Sequence, residues 1–270
     1  MSLLTVVTPA PAPKKSPPLE KMPGHWVLAS MGKRVLRPGG LELTRHLLSS
    51  LAIDSTDDVV EFAPGLGITA QLTLARSPRS YTAVERDGAA AAQVARHLFG
   101  PHRTCKLGTA EATGLPDSSA SVVYGEAMLS MQPATAKARI VAEAARLLRH
   151  GGRYGIHELC LTDDVDENIA GIIARDLSDE IHVGVKPLTI NQWGRLLEDA
   201  GLTVITERTA PMHLLEPARV IADEGFWRAI RFAWNVARSP QARRRVRAMR
   251  RAFRNHEGRL AAVMLVAVKP

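Results

Sequence analysis

From about Thr56 to Cys160, short apolar runs alternate with stretches whose apolar positions recur at helical spacing. "DVVEFAP", "SYTAVE", "RTCKLG" and "SVVYGEAM" predict four buried strands, and "GGRYGIHELCL" predicts a glycine turn leading into a fifth. Helices are expected between them. "ITAQLTLAR" stops before Ser77-Pro78, as a helix does ahead of proline. "DGAAAAQVARHLF" has Asp87 to cap its start and Gly100-Pro101 to end it. "ATAKARIVAEAARLLRH" sets Ile140, Ala144 and Leu147–Leu148 on one face.

Apolar strands separated by helices imply a parallel sheet covered on both faces, with right-handed crossovers. Ligands bind outside the carboxyl ends of such strands. That puts the loops after Ala63, Val84, Gly108, Tyr124 and Glu158 on one rim. After Leu161 an acidic stretch, "DDVDENIAGIIARDLSDEIHVGVKP", reads as helical and interrupts the sheet. "LTINQWGRLLEDAG" is an amphipathic helix capped by Thr189, "LTVITERTA" a sixth strand and "RLAAVMLVAVKP" a seventh. Between those last strands, Phe226, Ile230 and Ala233–Trp234 predict one amphipathic helix, and Val246, Met249 and Phe253 a second.

A chain of 270 residues suits one large domain, or one domain with an inserted piece. No apolar run approaches the ~20 residues of a membrane span. The start, rich in proline, alanine and lysine, makes a poor signal peptide and reads as a disordered leader. Cys105 and Cys160 fit no zinc spacing, and two reduced core thiols in a cytoplasmic protein are expected, with no metal site. The net charge of +8 is concentrated: residues 215–257 hold eleven arginines against four acids. The charge therefore belongs to one module.

The loop Gly65-Leu66-Gly67-Ile68-Thr69-Ala70 matches G-x-G-x-x-A, which also fits a dinucleotide site. Three details favour another cofactor. Glu61 sits in the strand before the loop, where a carboxylate repels a pyrophosphate but suits an ammonium group. Pro64 stiffens the turn. Glu85 ends the next strand, placed to accept from two ribose hydroxyls. A nucleoside with a positive centre and an amino-acid tail, S-adenosylmethionine, satisfies all three.

The chain resembles the class I S-adenosylmethionine-dependent methyltransferases, in their small-molecule, quinone-biosynthesis-like branch (methyltransferase type 11). The resemblance rests on "VVEFAPGLG", "AVERD", "GTAEATGLPDSSASVVYGEAML", "LLRHGGRYGIHEL", "WGRLLEDAGLTVI" and the closing "VMLVAVKP", in that order. It implies an α/β fold with a doubly wound, seven-stranded, mostly parallel sheet in the order 3-2-1-4-5-7-6. The last strand is antiparallel, and a helical lid insertion lies between strands 6 and 7. The expected organisation is a leader over 1–20, covering helices over 21–55 and a core of 56–208 plus 259–270. Helical insertions over 161–188 and 209–258 would cover the acceptor. By resemblance, Glu61 steadies the loop or binds the methionine amino group. Ala63, Pro64, Gly65 and Gly67 admit the cofactor to the backbone. Glu85 binds the ribose with Arg86 beside the adenine. Thr109, Ala110 and Glu111 border the ring, and Gly125 and Glu126 lie near the sulfonium. Two positions depart from the family: Thr109 replaces an aspartate that accepts from the adenine amino group, and Ser121 an aspartate that opens the fourth strand.

Methyl transfer needs alignment and a dry pocket, and a base only where the acceptor holds its proton. His157 and His182 are the candidate catalytic groups. His25, Trp26, Arg37, Met128 and Met131 are substrate-side candidates, Arg37 also as a partner of the cofactor carboxylate. The product would be S-adenosylhomocysteine, and the partner a small-molecule acceptor. The alternatives are an RNA or nucleic-acid methyltransferase using "RRRVRAMRRAFR", and a non-catalytic cofactor-binding protein. Nucleic acid is the weaker expectation, because the arginines equally suit a solvated helix or a subunit contact, as in a homodimer.

Overall fold

The computed structural model describes residues 18–270. The expected leader therefore lies almost wholly outside the described residues. Helices α1 (Gly24–Ser30) and α2 (Gly40–Ser50) precede the sheet. Then β1 (Asp58–Phe62), α3 (Ile68–Leu74), β2 (Ser80–Glu85), α4 (Gly88–Ala95), β3 (Arg103–Leu107) and β4 (Ala120–Glu126) follow. Next come α5 (Ala134–Leu147), β5 (Leu148–Leu161), α6 (Glu167–Ile181), β6 (Leu188–Thr189), α7 (Ile190–Glu198) and β7 (Thr203–Pro211). The chain ends with α8 (Pro217–Glu224), α9 (Phe226–Arg238), α10 (Pro240–Asn255) and β8 (Leu260–Val268).

The sheet order is β3-β2-β1-β4-β5-β8-β7. This is the expected winding, with one addition. The two-residue β6 pairs in parallel with Cys160 and Leu161 of β5, so the strands expected as sixth and seventh are β7 and β8. Strands β1 to β5 are parallel, and β8 runs antiparallel between β5 and β7. The caps read from the sequence are present: the Asp87 side chain accepts from the Ala90 amide, and Thr189 forms a reciprocal capping box with Gln192. The basic module holds three helices where two were expected, because Gly225 breaks α8 from α9.

The period-2 pattern sends alternate residues into two cores. Val60, Phe62, Val123 and Ile156 pack with α5 and α7, where Trp193 is fully buried and its indole donates to the Leu159 carbonyl at 3.2 Å. Val59, Tyr81, Tyr124 and Met264 pack on the other face with Leu43 and Leu47 of α2, with Leu51 just beyond it and with Ala70 of α3. Gly155 lets α2 approach β5, since a Cβ there would lie 2.8 Å from Leu47 Cδ1. A third core joins α1, α6, α8, α9 and α10 above the strand ends, through residues such as Leu28, Ile173, Leu177, Val220, Phe232 and Met249.

Two buried acids at the end of α8 tie this helical cap to the segment before α2. Glu224 Oε1 accepts from the amides of Arg34 and Val35 at 2.7 and 2.8 Å, and Asp223 accepts from the Leu41 amide at 2.9 Å. Lys33, wholly buried, lies 3.7 Å from Asp223 and 3.9 Å from Glu224. Removing one partner of a buried charge set leaves the other uncompensated. Glu224→Ala is expected to cost about 3 kcal/mol in urea unfolding, whereas Glu216→Ala, at a half-exposed ion pair, costs about 1 or less.

Candidate active site

The sheet order reverses between β1 and β4, and a cavity opens there beyond the carboxyl ends of the strands. It encloses about 400 Å³, within the range of about 300–1,000 Å³ usual for small-molecule sites. Strands β1 and β4 are each followed by an alanine in the left-handed region, Ala63 and Ala127, both with φ 51°. Such backbone is uncommon for a residue with a side chain, and both residues line the cavity.

Glu61 stands where β1 meets the cavity. Its Oε2 accepts from Tyr124, directly opposite on β4, at 2.6 Å, and from Tyr81 on β2. Burial raises its carboxyl to about 7, against the opposing pull of the two phenols. Its other oxygen accepts from no described residue. Glu85, at the end of β2, accepts from the Gly65 amide at 3.2 Å and the Asp87 amide at 3.0 Å, so one carboxylate orders both loops.

A second buried cluster lies beside the first. Glu126, the last residue of β4, is held by Arg37, Thr69, Thr44 at 2.6 Å and His157 Nδ1 at 2.8 Å. Burial pushes its carboxyl up, but the Arg37 charge and the His157 and Thr44 contacts outweigh it and hold it well below the usual range. His157 Nε2 in turn meets the Pro38 carbonyl.

His157 is fully buried, with both its nitrogens engaged, and does not line the cavity. His182 caps α6 with φ 56°, meets Arg245 through Nε2 and does not line the cavity. The lining does include Glu61, Ala63, Pro64, Gly65, Glu85, Arg86, Thr109, Ala110, Glu111 and Glu126, along with His25, Trp26, Arg37, Met128 and Met131. Gly67 and Gly125 are not part of it. A Cβ on Gly67 would meet Val94 and His97 of the α4 segment at 3.5 and 3.4 Å, pointing away from the cavity. Gly125 instead packs against Phe62 and Met128. Glu111 is paired with Arg139 at 2.7 Å.

Sequence reasoning did not single out most residues of the far wall. Leu28, Ile181, Met249 and Phe253 come from α1, α6 and α10 and join Met212 and Leu214 there. Met249 and Phe253 were legible only as the apolar stripe of an arginine-rich helix. Glu158 was missed as well: it accepts from the amides of Met128, Leu129 and Ser130 at 2.9, 2.7 and 3.0 Å and so shapes the loop carrying Met128 and Met131.

Residues 60–156, which run from within β1 to within β5 and include Glu61, Glu85 and Glu126, match the family model described as a methyltransferase domain. The chain is an S-adenosylmethionine-dependent methyltransferase. An uncharacterized protein of Haemophilus influenzae is 28% identical over 251 residues, covering 91% of this methyltransferase and 98% of its own length. A Galdieria sulphuraria protein assigned as a sarcosine dimethylglycine methyltransferase superposes with a TM-score of 0.69, at 17% identity over 85% of this chain and 86% of its own. The geranyl diphosphate C-methyltransferase of Streptomyces coelicolor, in complex with Mg2+, geranyl diphosphate and S-adenosyl-L-homocysteine, gives 0.58, at 14% identity over 85% and 77%. These two likenesses concern the fold.

The methyltransferase's cofactor, S-adenosylmethionine, fits the donor set. A carboxylate oxygen of Glu61 is left over for an ammonium group, and beside Gly65 the nearest atom to an added Cβ is the Ala63 carbonyl at 3.9 Å, so the turn is open. Glu61 also makes stability pH-dependent. Its folded carboxyl titrates at about 7, above its ordinary 4.5. The native state thus holds a proton that the unfolded chain has released, and stability falls as pH rises from 4.5 through 7. Glu61→Gln is expected to stabilise the methyltransferase by about 2–3 kcal/mol at pH 8 and by almost nothing at pH 4.5. Urea midpoints at the two pH values check this.

Proposed function

We propose that this methyltransferase modifies an apolar small-molecule acceptor, with His25 receiving the acceptor's proton. The observation that carries the reading is the two-sided cavity. The wall at the strand ends holds carboxylates and backbone turns. The wall from the helical cap is apolar, with Met212, Leu214, Met249 and Phe253 facing Met128 and Met131. Unbranched, polarizable methionines conform to bulky apolar ligands.

On this reading Glu61 takes the amino group, Gly65 gives the backbone room and Glu85 takes the ribose hydroxyls. Arg86, Thr109, Ala110 and Glu111 border the adenine. Arg37, held by Glu126, turns its remaining donors to the carboxylate end. The bound cofactor supplies a methyl group already activated on a sulfonium. The chain's own contribution is alignment and exclusion of water, worth up to about 7–11 kcal/mol of barrier for a well-placed pair.

His25 supports the base role through position. It lines the cavity beside Trp26, with ring centroids 5.2 Å apart, and neither ring nitrogen has a hydrogen-bond partner among the described residues. Burial, and then the Arg86 charge, lower its pKa, so the ring is neutral and able to accept at pH 7. The arginines of 215–257 do not line the cavity, which weighs against a nucleic-acid acceptor.

Incubation with methyl-labelled cofactor and a cell extract, followed by partition into organic solvent, tests the reading. Label in the organic phase is expected; label held in RNA or in a strongly polar product contradicts it. Gly65→Val, which places a branched side chain in the cavity at φ 55°, is expected to weaken S-adenosylhomocysteine binding more than about tenfold in calorimetry. His25→Phe is expected to leave that binding unchanged and to lower turnover about 10²-fold or more for an acceptor that must lose a proton.

A further inference from the structure

Helix α9 turns an apolar stripe away from the protein. Trp227 and Trp234, one heptad apart, are 79% and 60% exposed, and Ile230 between them is 46% exposed. Phe226 and Ile221 flank the stripe, also exposed. The opposite face, Ala229 and Phe232, is what packs into the cap. Arg231 and Arg238 border the stripe, and the Arg238 guanidinium lies 5.5 Å from the Trp234 ring centroid. Helix α10 follows directly. Its buried side is Ala242, Met249, Ala252 and Phe253, and its exposed side carries Arg243, Arg247 and Arg251. None of these three arginines lies within ion-pair distance of an acid among the described residues.

We propose that α9 and α10 form a docking surface for an anionic lipid bilayer, with the indoles at headgroup depth and the arginines against lipid phosphates. Charge complementarity argues for this occupant: residues 215–257 hold +7 of the chain's +8. Tryptophans beside aliphatic side chains, ringed by arginine, are the composition of an interfacial helix. No described helix is long and apolar enough to cross a membrane, so the contact is peripheral. A single-stranded nucleic acid would use the indoles for stacking but has no use for Ile221 and Ile230, and a convex helix face offers no groove for its backbone. A two-fold contact with a second copy would set the same arginines against one another. The inner side of α10 lines the cavity through Met249 and Phe253, so this surface backs directly onto the active site. The inference does not depend on which acceptor is used.

Sedimentation of the full chain with vesicles tests it. Phosphatidylcholine vesicles containing about 30% phosphatidylglycerol are expected to carry the protein down, and pure phosphatidylcholine vesicles to leave it in solution. Trp227→Ala/Trp234→Ala and Arg243→Glu/Arg247→Glu/Arg251→Glu are each expected to weaken binding at least about tenfold while melting near the native temperature. Brominated lipid should quench the native fluorescence. Failure of the native protein to sediment, or equal sedimentation of both variants, would overturn the proposal. So would a native dimer that the tryptophan changes split, or RNA retention in place of vesicle binding.

Discussion

The buried contact of Arg37 with Glu126 fixes everything around it. Glu126 ends a central strand, and Arg37 belongs to a segment that precedes the whole sheet. Their pairing, with Thr69, Thr44 and His157, joins β4, β5, α2, α3 and the Arg37–Pro38 turn at one point. A carboxylate this deep persists as an anion only because Arg37, His157 and Thr44 compensate it. The covering segment is therefore not free to lie elsewhere. From its other end, Asp223 and Glu224 draw in the helical cap. The roof of the cavity is thus set by charge, while its floor is set by the sheet.

That division shapes the chemistry. Strand ends supply acceptors for a polar, cationic cofactor. The cap supplies an apolar wall of methionine and phenylalanine. Glu61 shows the tension at the junction: two tyrosines hold one oxygen, yet burial keeps its carboxyl near neutrality. A cationic ligand would relieve a strain that the unliganded site carries at pH 8. A site that is less stable alone than with its ligand is a common form of stability–function conflict.

Much of the fold was legible in the sequence because each strand of the first half is short and bounded by glycine, proline or a capping side chain. The glycine loop and the acids at 61 and 85 stood out because the loop follows β1 directly, while the acids sit within β1 and at the end of β2. The rest depended on partners far apart in the chain. Nothing periodic links Arg37 to Glu126, or Lys33 to α8. The orientation of His157 was hidden because β5 is buried on both faces, so alternation identifies two faces without saying which meets the cavity. Gly65 and Gly67 look alike as letters, and only the backbone shows one facing the cavity and the other α4. Strand β6, two residues long, is too short to carry a pattern at all.

A double-mutant cycle on Arg37→Met and Glu126→Gln, read by urea unfolding, tests the central claim most directly. Each single change should cost about 3–5 kcal/mol, since each strands a buried partner. The double variant should cost less than the sum by more than about 1.5 kcal/mol. Costs that add to within about 0.5 kcal/mol would show that the two groups do not hold each other, and the account of the roof would fail.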